Sequence, residues 1–174
     1  MKKDKGLVIW FTGLPCSGKT TLSKEIEKYF QEKYLSIQRL DGDIVRETIS
    51  NDLDFSKEDR NKNIERLSYI AQMLSDNGVN VVSAFVSPYQ KMRNFTRGLC
   101  ENFIEVYVEC SVEECKRRDV KGMYAKAEKG EIMDFTGVQD PFEKPVNSEI
   151  IVNTEKETVE ESVQKIVSYI DKQL

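Results

Sequence analysis

Strand-like and helix-like segments alternate along this chain, which predicts an α/β protein: a three-layer α/β/α sandwich around a mostly parallel five-stranded sheet. Three observations carry the prediction. Continuous apolar runs such as Leu7-Val8-Ile9-Trp10-Phe11 are what parallel strands buried on both faces require. Between these runs, apolar residues recur at helical spacing. The first run also leads into Gly13-Leu14-Pro15-Cys16-Ser17-Gly18-Lys19-Thr20, which fits G-x-x-x-x-G-K-[ST]. That phosphate-binding loop, the P-loop, needs a strand before it and a helix after it, so the expected architecture is the P-loop NTPase/kinase fold.

Taken in order, Leu22, Ile26, Tyr29 and Phe30 mark the helix after the loop. Ser36 to Leu40 read as a second strand running into Asp41-Gly42-Asp43. Lys57 to Asn77 read as a long helix with Ile64, Leu67, Ala71 and Leu74 on one face, N-capped by Ser56 and closed by Gly78. Asn80 to Val86 form a third strand, stopped near Pro88, and a short helix runs to about Cys100. The β-branched and aromatic content of Phe103 to Val108 favours a fourth strand. Ser111-Val112-Glu113-Glu114 carries the capping-box pattern at the start of another helix. Ile150 to Val152 are the fifth strand, and Val159, Val163, Ile166, Val167 and Ile170 line one face of the last helix. Residues 120–145 show no sustained period and carry three glycines and two prolines. Segments of this length in compact domains are often functional lids. The expectation is one kinase domain spanning residues 1–174 with a lid at about 120–145.

The 26 basic and 30 acidic residues give a net charge of −4, which argues against a nucleic-acid partner. No apolar run approaches the roughly 18 residues of a membrane span, so no membrane partner is expected. The charged segment Met1 to Gly6 leads straight into the first strand, and Cys16, Cys100, Cys110 and Cys115 form no C-x-x-C pair. Free thiols in the cytoplasm are therefore expected. With no histidine in the chain, proton acceptance falls to a carboxylate or to the substrate, and an oxygen-rich donor set points to Mg²⁺.

In the P-loop the glycines let successive N–H groups point at phosphate oxygens, Lys19 reaches the β- and γ-phosphates, and the Thr20 hydroxyl binds Mg²⁺. The expected ATP site comprises Gly13, Leu14, Pro15, Cys16, Ser17, Gly18, Lys19, Thr20 and Thr21. The acceptor belongs beyond the carboxyl ends of the strands. There Asp41-Gly42-Asp43 is either a plain turn or a carboxylate pair that orients an acceptor hydroxyl or helps hold the metal. The third strand ends without the acidic residue many P-loop proteins carry, which shifts weight onto Asp41 and Asp43. Arg60 and Asn63 face either a substrate or solvent. Phe135 is either a base-stacking platform or part of a small satellite core.

Together these segments resemble adenylyl-sulfate kinases. The likeness runs from about Gly6 to Ile170 through an ordered set: Asp41-Gly42-Asp43 with Arg46, Phe55-Ser56 with Asp59-Arg60 and Asn63-Ile64, Phe85 to Tyr89, Arg118-Asp119 with Lys121-Gly122, Gly130-Glu131-Ile132, Phe135-Thr136-Gly137 and Glu143-Lys144-Pro145. The resemblance implies a phosphotransferase that moves the γ-phosphate of ATP to the ribose 3′-hydroxyl of adenylyl sulfate. It implies that Phe55 and Phe135 sandwich the acceptor base, and that Arg46, Arg60 and Asn63 hold the phosphosulfate and ribose. Val86, Ser87 and Lys121 would complete the pocket. It places Asp43 near the 3′-hydroxyl as base or orienter, Asp41 beside a metal also held by Thr20, and Arg117 and Arg118 against ATP. Ser87 matches the position the family describes as a phosphoserine intermediate, although in-line transfer between two bound nucleotides needs no covalent relay. A homodimer is compatible with this reading.

Two positions depart from the family pattern: Ile44 follows Asp43 where Asn is usual, and Glu128 stands where Arg is expected. Losing a hydrogen-bonding side chain near an acceptor affects specificity. A related branch phosphorylates cytidine diphosphoramidate during capsule decoration, and that small nucleotide acceptor is the alternative. Two other classes fit less well. A small-metabolite kinase would have no use for the two phenylalanines, and a non-catalytic nucleotide-binding module would have no use for intact Lys19, Thr20, Asp41 and Asp43.

Overall fold

The structure, a computed structural model, describes residues 4–54 and 56–174. The elements run β1 (Val8–Thr12), α1 (Lys19–Glu32), β2 (Ile37–Asp41), α2 (Gly42–Glu47), α3 (Lys57–Asp76), β3 (Asn80–Ala84), α4 (Gln90–Leu99), β4 (Phe103–Glu109), α5 (Val112–Arg118), α6 (Met123–Glu128), β5 (Ile150–Asn153) and α7 (Val159–Ile170). The five strands lie in the order β2-β3-β1-β4-β5, and every pairing is parallel. The expected α/β/α fold is present.

The centre of the sheet explains the uninterrupted apolar run of β1. Val8, Ile9, Trp10 and Phe11 are all fully buried, because successive side chains point to opposite faces and both faces are covered. Ile9 and Phe11 join Leu22, Ile26 and Phe30 of α1 and Ile166 and Ile170 of α7. Val8 and Trp10 join Ile64, Leu67 and Ala71 of α3 and Met92 of α4 on the other side. The strand between β3 and β4 is thereby locked in both layers, and its carboxyl end delivers the glycine loop at the point where the strand order reverses.

The caps are partly as expected. Ser56 accepts the Asp59 N–H, and Gly78 takes a positive φ of 79°. At α5 only half of the expected capping box forms. The Ser111 hydroxyl accepts from the Glu114 N–H, but the Glu114 carboxylate turns to Arg117 and Arg118, and Glu155 accepts the Ser111 N–H instead. A complete capping box forms at α7, between Thr158 and Glu161. Val159, expected on the buried face of α7, is 41% exposed in its first turn.

Three further differences lie around the cleft. β3 ends at Ala84, two residues short of the expected Val86, and the chain then turns through Ser87 with a positive φ of 42°. Asp41-Gly42-Asp43 opens the short helix α2, with Asp41 as its N-cap. Residues 120–145 contain α6, whose first amides, those of Tyr124 and Ala125, bond the Asp119 carboxylate. Helices of six residues are too short to show a period. The segment is anchored by a satellite core in which Tyr124 and Phe135 pack with Leu14, Cys110 and Cys115. Among the described residues no helix is long and apolar enough to cross a membrane.

Leu67, fully buried between α3 and the sheet, should cost about 2–5 kcal/mol as Leu67→Ala. Thr158→Ala, which removes one capping hydrogen bond, should cost about 1 kcal/mol. Urea midpoints at unchanged m value report both, and equal losses would contradict this division between core and cap.

Candidate active site

The glycine loop winds so tightly that its first position tolerates no side chain. A Cβ on Gly13 would lie 2.5 Å from the Val108 carbonyl oxygen and 2.9 Å from Ser17 Oγ. The Lys19 side chain folds back along the loop. Its ammonium donates to the carbonyls of Gly13 at 3.0 Å and Leu14 at 2.6 Å, and burial pushes its pKa down to about 8. Gly18, at φ 102°, caps α1 without a side-chain hydrogen bond, leaving the first amides of the helix directed at the cleft, where an anion is favoured. Two braces hold the loop from outside. Thr154 donates its hydroxyl to the Ser17 carbonyl at 2.8 Å, and Tyr124 donates its hydroxyl to the Pro15 carbonyl at 3.1 Å.

This loop forms one wall of a cleft of about 630 Å³. From the expected ATP set, Pro15, Cys16, Gly18, Lys19, Thr20, Thr21 and Arg118 line it; Gly13, Leu14 and Ser17 lie behind them. Every described member of the expected acceptor set also lines it: Asp41, Asp43, Arg46, Arg60, Asn63, Val86, Ser87, Lys121 and Phe135. Phe55 lies outside the described residues. Arg117 is not brought to this cleft. It is exposed, binds Glu114 at 2.6 and 2.7 Å, and faces a separate open groove with Ser111, Thr154 and Glu155. Arg118 reaches both places, held by Glu114 and by two contacts to Thr154 at 3.0 and 2.8 Å.

The wall that carries the expected acceptor residues is held by ion pairs and hydrogen bonds. Burial opposes ionisation of Asp41, but the Arg39 guanidinium and the Asp43 amide outweigh it and keep the carboxyl below its usual range. Arg39 is itself anchored to Glu27 of α1 at 2.8 Å. Asp43 is exposed and paired with Lys121 from the 120–145 segment. Arg46 donates to the Asp54 carbonyl at 3.0 Å. Arg60 is buried, bonding Thr136 at 2.8 Å and Asp140 at 3.0 Å, while the Tyr89 hydroxyl donates to the same Asp140 carboxylate. Asn63 is also buried, and its Oδ1 has no hydrogen-bond partner. The Ser87 hydroxyl accepts the Trp10 indole N–H at 3.0 Å. Phe135 belongs both to the satellite core, edge-on to Tyr124 at 5.0 Å, and to the cleft lining.

Sequence reasoning missed Arg39, Asp140 and Thr154. Arg39 was within reach, since it lies two residues before Asp41 on the same strand and so on the same face. Nothing in the local pattern marks Asp140 or Thr154. Among the described residues no cluster of three or more His, Cys, Asp or Glu forms a metal cage. The Thr20 hydroxyl and the Asp41 carboxylate on the cleft wall nonetheless fit Mg²⁺, which takes one or two protein oxygens and completes its shell with phosphates and water.

Cys16 lines the cleft and is partly exposed, whereas Cys100, Cys110 and Cys115 are buried. A maleimide should therefore modify Cys16 first, and ATP should slow the reaction. Peptide mass mapping checks this; labelling that ATP does not slow would contradict the placement of the loop.

Comparison with known proteins agrees with this geometry. A family model described as adenylylsulphate kinase matches residues 5–153. The adenylyl-sulfate kinase of Halothermothrix orenii is 49% identical over 171 residues, covering 98% of this chain and 92% of that one. A probable adenylyl-sulfate kinase of Pseudomonas aeruginosa is 52% identical over 167 residues, covering 96% and 78%. Among solved structures, the Mycobacterium tuberculosis APS kinase CysC in complex with AMPPNP and APS matches with a TM-score of 0.90 at 36% identity, covering 96% of this chain and 98% of that one. A P-loop on a cleft that also gathers Asp41, Asp43 and Arg60 thus agrees with similarity over nearly the whole chain, and this chain belongs to the adenylylsulphate kinase family.

Proposed function

We propose that this protein transfers the γ-phosphate of ATP to the ribose 3′-hydroxyl of adenylyl sulfate. The observation that carries the proposal is that one cleft is shared by Lys19 and Thr20 and by Asp41, Asp43, Arg60, Asn63, Ser87 and Phe135. Phosphoryl transfer needs mostly positioning and charge stabilisation, so a donor cradle and an acceptor wall facing each other supply what the reaction requires.

Lys19 leaves the loop carbonyls to meet the β- and γ-phosphates, an exchange of neutral acceptors for charged ones. Thr20 and Asp41 would hold Mg²⁺, which with ATP would supply neutralisation of charge on the phosphate oxygens. Arg39 keeps Asp41 ionised for that role. Asp43 orients the 3′-hydroxyl or accepts its proton, a role that falls to a carboxylate in a chain without histidine. Lys121, paired with Asp43, moves to the anionic tail of the acceptor and frees the carboxylate. Arg46, Arg60 and Asn63 bind the acceptor's phosphosulfate and ribose, and the unpartnered Asn63 Oδ1 offers an acceptor for a sugar hydroxyl. Phe135, on the cleft wall, offers a face to the base. Arg118, at the junction of the cleft and the open groove, meets ATP.

Neither departure from the family pattern falls on the cleft wall. Ile44 is 57% exposed on α2, and Glu128 pairs with Lys116 at 2.6 Å; neither lines the cleft. Neither departure therefore sets adenylyl sulfate aside at the cleft, and similarity to adenylyl-sulfate kinases over nearly the whole chain favours it over cytidine diphosphoramidate.

Lys19→Ala should lower kcat/KM by at least about 100-fold, or about 2.7 kcal/mol; turnover within about threefold of the wild type would sink the kinase reading. With Mg·ATP fixed, kcat/KM for adenylyl sulfate should exceed that for cytidine diphosphoramidate by more than about tenfold. The reverse preference would assign the chain to the cytidine branch.

A further inference from the structure

Ser87 sits on the cleft wall with φ of 42° and is 2% exposed. Serine rarely adopts that backbone region, and such a conformation persists only where its surroundings over-determine it. The contacts that do so are specific. The hydroxyl accepts from Trp10. The carbonyl accepts from Arg93 Nη1 at 2.7 Å and, more weakly, from Thr12 Oγ1 at 3.4 Å.

Arg93 comes from α4 and is fully buried, yet it does not line the cleft. Its second terminal nitrogen donates to the Glu143 carbonyl at 2.7 Å and to Gln90 Oε1 at 2.8 Å. Glu143 lies at the far end of the 120–145 segment. It is stapled to the same turn by its own N–H to the Pro88 carbonyl at 2.8 Å and by its carboxylate to the Gln90 N–H at 2.6 Å. The charge of Arg93 faces Glu105 on β4, 1% exposed, with Nε to Oε2 at 3.7 Å, and Ser148 donates to the other Glu105 oxygen at 2.6 Å. A buried cation with a buried counter-ion is costly to assemble and seldom adds net stability over apolar packing. Here one planar guanidinium bonds two backbone carbonyls from segments more than fifty residues apart, which an ammonium cannot reproduce with the same reach.

We propose that Arg93 is a positioning residue for the acceptor side of the reaction: it fixes the turn at Ser87 on the cleft wall and ties the returning end of the 120–145 segment to that turn. The inference rests on the kinase reading above. Arg93 does not line the cleft; it acts through the Ser87 and Glu143 backbones.

The test compares the wild type, Arg93→Lys and Ser148→Ala. Ser148→Ala weakens the surroundings of Glu105 but leaves both carbonyl contacts of Arg93 in place, so it controls for loss of stability alone. KM and kcat are measured with adenylyl sulfate varied at saturating ATP and with ATP varied at saturating acceptor, with thermal midpoints alongside. Arg93→Lys should lower kcat/KM for the acceptor by at least about tenfold while the KM for ATP stays within about twofold. Ser148→Ala should lower the thermal midpoint and leave the acceptor parameters unchanged. Arg93→Lys with acceptor parameters like the wild type, or with both substrates affected equally, would overturn the inference and leave the kinase reading intact. No turnover by the wild-type protein would instead remove the kinase reading, and this inference with it.

Discussion

A lysine ammonium held by the carbonyls of its own loop is the interaction around which this molecule is arranged. Burying Lys19 is unfavourable, and its depressed pKa of about 8 expresses that cost. The carbonyls of Gly13 and Leu14 offset it only if the loop is wound tightly enough to present both to one nitrogen. That winding forbids a side chain at Gly13, where the Val108 carbonyl already stands. It also requires the strand that carries the loop to be immobile, and full burial of β1 on both faces meets the requirement. Thr154 and Tyr124 then fix the loop's outward carbonyls. A phosphate arriving at this loop meets a backbone already braced, so the reorganisation left for binding is concentrated in the Lys19 side chain, which exchanges loop carbonyls for phosphate oxygens.

The opposite wall follows the same logic with side chains in place of backbone. Three groups there are held by partners that do not line the cleft: Asp41 by Arg39, Arg60 by Asp140, and Ser87 by Trp10 and Arg93. Trp10 and Thr12 belong to β1 itself, so the strand that ends in the donor loop also props up the acceptor turn. The two halves of the site are therefore not independent modules. A change in β1 moves both.

Much of this was legible in the sequence because long elements advertise their burial. The period of Ile64, Leu67 and Ala71 and the unbroken run of β1 each identify an element and its buried face. Short elements carry no such signal. In α2 and α6 six residues make fewer than two turns, and Asp41-Gly42-Asp43 looks the same whether it turns the chain or caps a helix. The site divides in the same way. The P-loop is legible because its chemistry demands fixed spacing along one stretch of chain. The Arg60–Asp140–Tyr89 cluster is not, because its members lie far apart in sequence and meet only through the fold. Phe135 shows why the two readings of a residue need not compete, since one edge packs in the satellite core while the ring borders the cleft.

In the proposed reaction donor and acceptor share one cleft, and the phosphoryl group crosses it in a single step. The Ser87 hydroxyl, on the cleft wall and bonded to the Trp10 indole, is the group that a two-step route would use. The most direct test is stereochemical: turnover of ATP made chiral at the γ-phosphorus with oxygen isotopes, followed by configurational analysis of the 3′-phosphate product. A single in-line displacement predicts inversion of configuration. Retention would require two displacements through a phosphorylated side chain, and would contradict the account.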